Sequence, residues 1–239
     1  MAGYIFALMA ALALPVAAMI YMTIRLKTAQ PVLLGASTFI VFQILLRSPL
    51  LLVLLPRSTD YVLFQITHPI QYMIFLSSTA GLFEEVGRYV MMKRFMKDEP
   101  VSHALAFGIG HGGIEAILIV GINLIVMGSS GAVSLGPASG ALFAAGFERI
   151  SAMVFHVCLS VMIWRSLKEH RPVLLPVAIF IHTLLNVMAG YLSFQKVSFS
   201  IIELAIALGT SLFLIYTIIN LRKNNNRENN SIQRSNGGN

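Results

Sequence analysis

The chain has 239 residues, of which 56% are hydrophobic and only 11% charged, and its mean hydropathy is +0.78. A soluble domain carries roughly 25% charged residues, so a water-exposed globule is excluded. The formal net charge of +7 lies at the ends of apolar runs, where it sets membrane orientation rather than affinity for nucleic acid, which is removed from the candidate partners.

Taken in chain order, apolar spans fall at about 3–24, 31–55, 62–92, 102–127, 140–165, 172–194 and 199–221. Each is long enough to cross a bilayer as a helix. The first has no basic stretch ahead of it, so it reads as a spanning helix and not as a cleaved signal peptide. Pro56, Pro100, Pro137 and Pro172 lie in or beside the connections, where a missing backbone N–H does least harm. The sole cysteine, Cys158, excludes an internal disulfide and reads as a packing residue. Residues 222–239 are Asn-rich, polar and without apolar periodicity, which predicts a disordered basic tail.

The basic residues alternate between sides. Arg25 and Lys27, then Lys93, Arg94 and Lys97, then Arg165, Lys168 and Arg171, then Arg222, Lys223 and Arg227 fall on one side. The other shows Arg57 with Asp60, an uncharged Gly/Ser-rich loop over 128–140, and Lys196. The positive-inside rule puts the N-terminus outside and the C-terminus in the cytoplasm. The expectation is an all-α polytopic bundle of about seven transmembrane helices, one domain over 1–221 with a cytoplasmic tail, in a bacterial plasma membrane.

The spans contain Arg47, Glu84, Glu85, Arg88, His111, Glu115, Glu148, Arg149, His156 and His182, with Asn186 as a neutral partner. Ionisable groups inside a membrane are costly, and so many point to function. Glu84 lies nine residues before Lys93, His111 nine after Ser102, His156 nine before Arg165 and His182 eleven after Arg171. At a rise of about 1.5 Å per residue, all four stand roughly 13–16 Å from the cytoplasmic charge belt. Four helices thus offer an acid or an imidazole at one level, as a site in a helix bundle requires.

Local spacing adds detail. Glu84 and Glu85 lie four and three residues before Arg88, so the arginine can hold one carboxylate ionised while the other turns inward. His111 and Glu115 are one turn apart, as are His182 and Asn186. A glutamate beside a second carboxylate is a competent general base for water. Arg47, Glu115, Glu148 and Arg149 read mainly as charge pairs satisfying one another, with Glu115 the likeliest to reach the site. His68 and His103, near span ends, read as hydrogen-bonded packing residues.

The string Glu84-Glu85-Val-Gly-Arg88, then Phe107-Gly-Ile-Gly-His111, then His182-Thr-Leu-Leu-Asn186 resembles the three motifs of the CAAX-protease and bacteriocin-processing superfamily of intramembrane proteases. Motif order and membrane context match over about residues 80–190, and the branch it is most similar to is the YhfC-type membrane peptidase family. The departures are that Arg88 comes one residue earlier than in the CAAX-protease pattern and that His156 is an added histidine. The resemblance implies an intramembrane endopeptidase acting near the cytoplasmic face on a membrane-anchored peptide or protein. Glu84 would activate a water, with Glu85 beside it. His111 would support the nucleophile or leaving group, and His182 and Asn186 would donate to the oxyanion. Arg88, Glu115 and His156 would support them.

His111, His156 and His182 could bind zinc with an open position. The HExxH signature is absent, so the reading favours glutamate catalysis without a metal, with zinc as the alternative. A proton-coupled carrier using the same Glu/His cluster and an inactive immunity or partner-binding relative are the rivals from other classes. Gly128-Ser129-Ser130-Gly131 matches the Gly-x-Ser-Gly of rhomboid serine proteases, but it lies in a loop of small residues. Asp60 and Asp98 both lie in loops, so the paired buried aspartates of aspartyl proteases are missing.

Overall fold

A computed structural model describes the backbone of residues 1–96, 98–130 and 137–236, and the side chains of these except 137–139 and 224–236. Lys97, most of the uncharged loop with Gly131, and the side chains of the tail lie outside the described residues. Among the described residues every regular element is helical. We number them α1 (Ala2–Leu26), α2 (Gln30–Arg57), α3 (Thr59–Thr67), α4 (Pro69–Phe95), α5 (Val101–Ser129), α6 (Pro137–Lys168), α7 (Leu174–Phe194) and α8 (Phe199–Asn236).

Six of these, α1, α2, α5, α6, α7 and α8, are long and apolar enough to cross a membrane. The expected span at 62–92 is divided differently. Pro69 fixes its own φ and offers no N–H, and His68 before it adopts φ −130°, ψ 59°, as steric clash with a following proline favours non-helical backbone. The short α3 therefore ends there, and α4 starts afresh as a 27-residue helix. It is long enough to span, but Glu84, Glu85 and Arg88 break its apolarity. The helix of α8 runs on to Asn236, past the point where the polar composition predicts a disordered tail; no proline or glycine interrupts 222–236.

Three helices leave regular α geometry, α1 over Met9–Ala13, α2 twice and α5 once. Residues Phe39–Arg47 of α2 and Ile117–Gly121 of α5 form π-helical turns, a geometry concentrated at functional sites. Helix α5 is central and packs mainly on α6 and α2, while α4 packs on α7 and α6 on α8. Glycines allow this closeness: a Cβ at Gly110 would collide with the Val32 backbone of α2, and one at Gly108 with Val157 of α6. An apolar cluster of Met92, Met96, Phe107, Leu159, Met162, Ile163 and Phe213 fills the bundle at the end marked by Lys93 and Arg165. It sits between that end and the polar residues of the interior.

Candidate active site

The site is built from α4, α5, α6 and α7, the four helices whose polar residues fall at one depth. Arg88 is its hub and is fully buried, with 0% exposure. Its Nε lies 3.1 Å from Glu85 Oε2 and its Nη2 donates to Glu85 Oε1 at 3.3 Å. From Nη1 it donates to the His156 carbonyl at 2.9 Å and to Ser160 Oγ, and from Nη2 to His156 Nδ1 at 3.0 Å. A guanidinium can only donate, so His156 Nδ1 accepts, and in the neutral ring the proton rests on Nε2. That nitrogen lies 2.6 Å from Glu115 Oε2.

The two glutamates separate by role. Glu85, with 0% exposure, holds both Arg88 and His182, whose Nδ1 is 2.9 Å from Glu85 Oε1. It is not among the residues lining the central cavity. Glu84 does line it, and its Oε2 stands 3.1 Å from His111 Nε2. The adjacent positions point to different partners because they are about 100° apart around the helix. The expected division, one carboxylate held by the arginine and one turned to the site, is thus realised with Glu85 held and Glu84 turned.

The imidazoles converge. The rings of His111 and His156 are 4.9 Å apart and those of His156 and His182 5.5 Å. Phe39 of α2 presents an edge to His111 at 5.5 Å. Asn186 joins His182 on the cavity wall, one turn further along α7. The cavity has a volume of about 280 Å³. Its remaining walls include Gln43, Ala80, Ile119, Ala189 and Ile206, all further than the site from the Lys93 end. The cavity wall therefore extends from Glu84 toward the Arg57 and Lys196 end, whereas the apolar cluster lies between the site and the Lys93 end, the side near which the sequence reading placed cleavage.

The outer polar residues also find partners. Arg149 pairs with Glu148 and, at 3.1 Å, with Glu115, as the charge-pair reading expects. Arg47 departs from it: its donors meet the Leu76 carbonyl at 2.8 Å and Thr79 Oγ1 at 3.1 Å, both on α4. His68 contacts Thr67 Oγ1 and His103 pairs with Glu99, away from the site. Sequence reasoning passed over three positions. Ser160 binds Arg88, Gln43 lines the cavity, and Glu203 of α8 has a buried oxygen without a hydrogen-bond partner. Glu203 was open to the same rule that flagged the others, an ionisable residue inside an apolar span. Ser160 and Gln43 carry no such signal.

The residues can accommodate a metal ion. One ligand atom each from Glu84, His111 and His156 lies within 4.8 Å of the others, and all three residues are buried. His111 Nδ1 is buried without a hydrogen-bond partner. A carboxylate with two imidazoles is a donor set that suits zinc with a position left open. The set differs from the three histidines expected: Glu84 stands where His182 was placed, because His182 Nδ1 is turned to Glu85.

Fold and site together define a polytopic helical membrane protein with a buried carboxylate–imidazole centre capable of hydrolytic chemistry. The family model described as YhfC intramembrane metalloprotease matches residues 10–136 and 132–207, and the chain belongs to that family. An uncharacterized membrane protein YhfC of Bacillus subtilis (strain 168) is 36% identical over 182 residues, covering 65% of this chain and 70% of the relative. No solved structure matches.

Proposed function

We propose that the protein is an intramembrane endopeptidase that hydrolyses a peptide bond of a membrane-associated substrate with water activated by Glu84. The observation that carries this reading is the Glu84 carboxylate on the wall of a buried cavity, 3.1 Å from His111 and facing the wall that holds His182 and Asn186. Glu84 takes a proton from water as the water attacks the scissile carbonyl carbon. His111, with Nε2 on Glu84, orients that carboxylate, and Glu84 then passes the same proton to the leaving amine as the C–N bond breaks. Glu85 accepts from His182 Nδ1 and stabilises the doubly protonated ring, which turns Nε2–H toward the cavity. That donor and the Asn186 amide meet the oxyanion, a contribution of several kcal/mol in a water-poor site.

Glu84, His111 and His156 are the residues that would hold a metal ion. When bound there it would supply Lewis-acid chemistry and a water of lowered pKa. To become a ligand His156 would have to release either the Arg88 N–H from Nδ1 or the Glu115 carboxylate from Nε2.

The test is cleavage of membrane-anchored reporter polypeptides by purified protein, with Glu84→Ala and His182→Ala beside the wild type. Equal behaviour of the three would sink the assignment. A proton-coupled carrier draws on one further observation, the chain of contacts from Glu84 through His111, His156 and Glu115 to Arg149 and Glu148. Proton flux in liposomes that is lost in Glu84→Ala, with no cleavage by the wild type, would favour that reading, and loss of cleavage in the same variant would favour the peptidase.

A further inference from the structure

We infer that the groove between α6 and α8 at the Lys196 end of the bundle docks the membrane span of a polypeptide substrate, one that carries a lysine or arginine at the depth of Glu203. The inference rests on the peptidase reading, since the docked span is taken to belong to the chain that is cut. Gly140, Phe143, Ala144 and Phe147 form one wall of the groove on α6, and Glu203 and Leu204 belong to the wall on α8. Between them lies a space of about 470 Å³. Glu203 is the only charged residue on the described walls. Among the described residues it forms no hydrogen bond or ion pair; its Oε2 is buried and bare, and Oε1, which is not enclosed, is the oxygen that a ligand in the groove can reach. A lone carboxylate inside a membrane is costly, and a partner of opposite charge relieves that cost.

The surrounding charge asks for a cation. The charges acting on Glu203 are those of Glu148 and Arg149 on α6, and Arg149 is already divided between Glu148 and Glu115. Three carboxylates thus act on one guanidinium. The rings of Phe143 and Phe147 are held by Phe6 of α1, at 5.4 and 4.9 Å, and remain 38% and 57% exposed. Such rings suit the methylene stem of a lysine or the plane of an arginine. Space is left for a helix as well: a Cβ at Gly140 would meet nothing within 4 Å among the described residues, whereas one at Gly108 or Gly110 would collide with a neighbouring helix. Gly140 and Ala144, one turn apart, make the kind of notch that lets a second helix approach closely. The groove also borders the catalytic cavity. Phe147 and Ala207 line the groove, while the adjacent Glu148 and Ile206 line the cavity, so a span docked here lies beside the wall that holds Arg149.

The experiment measures energy transfer from labelled single-span alanine–leucine polypeptides to the full chain in maltoside micelles. Glu203 stands four residues into α8 from Phe199, a rise of about 6 Å. The polypeptides therefore carry lysine, leucine or glutamate at one position about 6 Å inside one end of the span. The lysine polypeptide should bind the wild type about tenfold more tightly than the leucine one. That advantage should vanish in Glu203→Gln and pass to the glutamate polypeptide in Glu203→Lys. Gly140→Leu fills the groove where there is space for it, and should weaken binding of the whole panel about tenfold with the melting temperature nearly unchanged. Absence of a lysine advantage in the wild type, its survival in Glu203→Gln, or full binding to Gly140→Leu overturns the inference. Displacement of the lysine polypeptide by an equimolar amount of phosphatidylethanolamine would assign the groove to a lipid amine and overturn it too. Cleavage separates the two readings. A lysine advantage in binding with no cleavage by the wild type leaves the docked span standing as a partner's and defeats the peptidase reading. Cleavage of the lysine and leucine polypeptides with equal KM keeps the peptidase and defeats the docking.

Discussion

Arg88 carries more of the site than any other side chain, because five donors in a rigid fork let it meet Glu85, His156 and Ser160 at once. Removing it strands the Glu85 carboxylate in the bundle interior, and breaking a buried pair in this way costs about 3–5 kcal/mol. Arg88→Met should lower stability by that order in thermal melts of the micellar protein. Arg88→Lys keeps the charge but not the fork and should still release His156. Glu84→Gln is the opposite kind of change, close to isosteric and set against a cavity. It should fold normally and lose about 10²–10⁴-fold in kcat, the scale of a general base, measured on any reporter the wild type cleaves. The pair Glu84-Glu85 is plain in the sequence. Which of the two works was not, since adjacent positions on a helix differ only in the neighbours they face.

Helix contacts depend on glycine where backbones nearly touch. Gly110 of α5 lies against the Val32 backbone of α2, and the same pair of helices brings Phe39 to His111. Gly110→Val should separate them, costing about 1–3 kcal/mol as overpacking and disturbing His111 together with it. A fall in melting temperature accompanied by a fall in activity would show the coupling; retention of full activity at lower stability would argue that α2 does not help to place His111. The apolar spans could be read from hydropathy because a bilayer demands unbroken apolar length. The break before Pro69 needed the local backbone, and the π-helical turn that carries Gln43 has no sequence signature.

The whole molecule sets a second carboxylate cluster beside the first, with Glu115 joining His156 to Arg149. Arg149→Ala would leave Glu115 and Glu148 without their shared counter-charge, so it should destabilise the fold more than Arg149→Lys does, read as the difference in melting temperature between the two variants. The donor set of Glu84, His111 and His156 makes a further prediction. Where the purified protein carries zinc, metal analysis should find it lost in His111→Ala and in His156→Ala. Zinc content that is indifferent to both changes would remove this cluster as the binding site. These two histidines come from different helices, and only the packing of α5 on α6 makes them neighbours.

The sequence alone determined that the chain is a helical membrane bundle, that its interior holds acids and imidazoles, and that Glu84, His111, His156 and His182 fall near one level. Those conclusions follow from one-dimensional quantities: apolar length, charge position and rise per residue. The tertiary structure decided which groups meet. It turned Glu85 to Arg88 and His182, put Glu84 beside His111, and brought in Ser160 and Gln43. It also ran the cavity away from the Lys93 end, because the apolar residues that close that end come from four helices and are contiguous only once those helices pack.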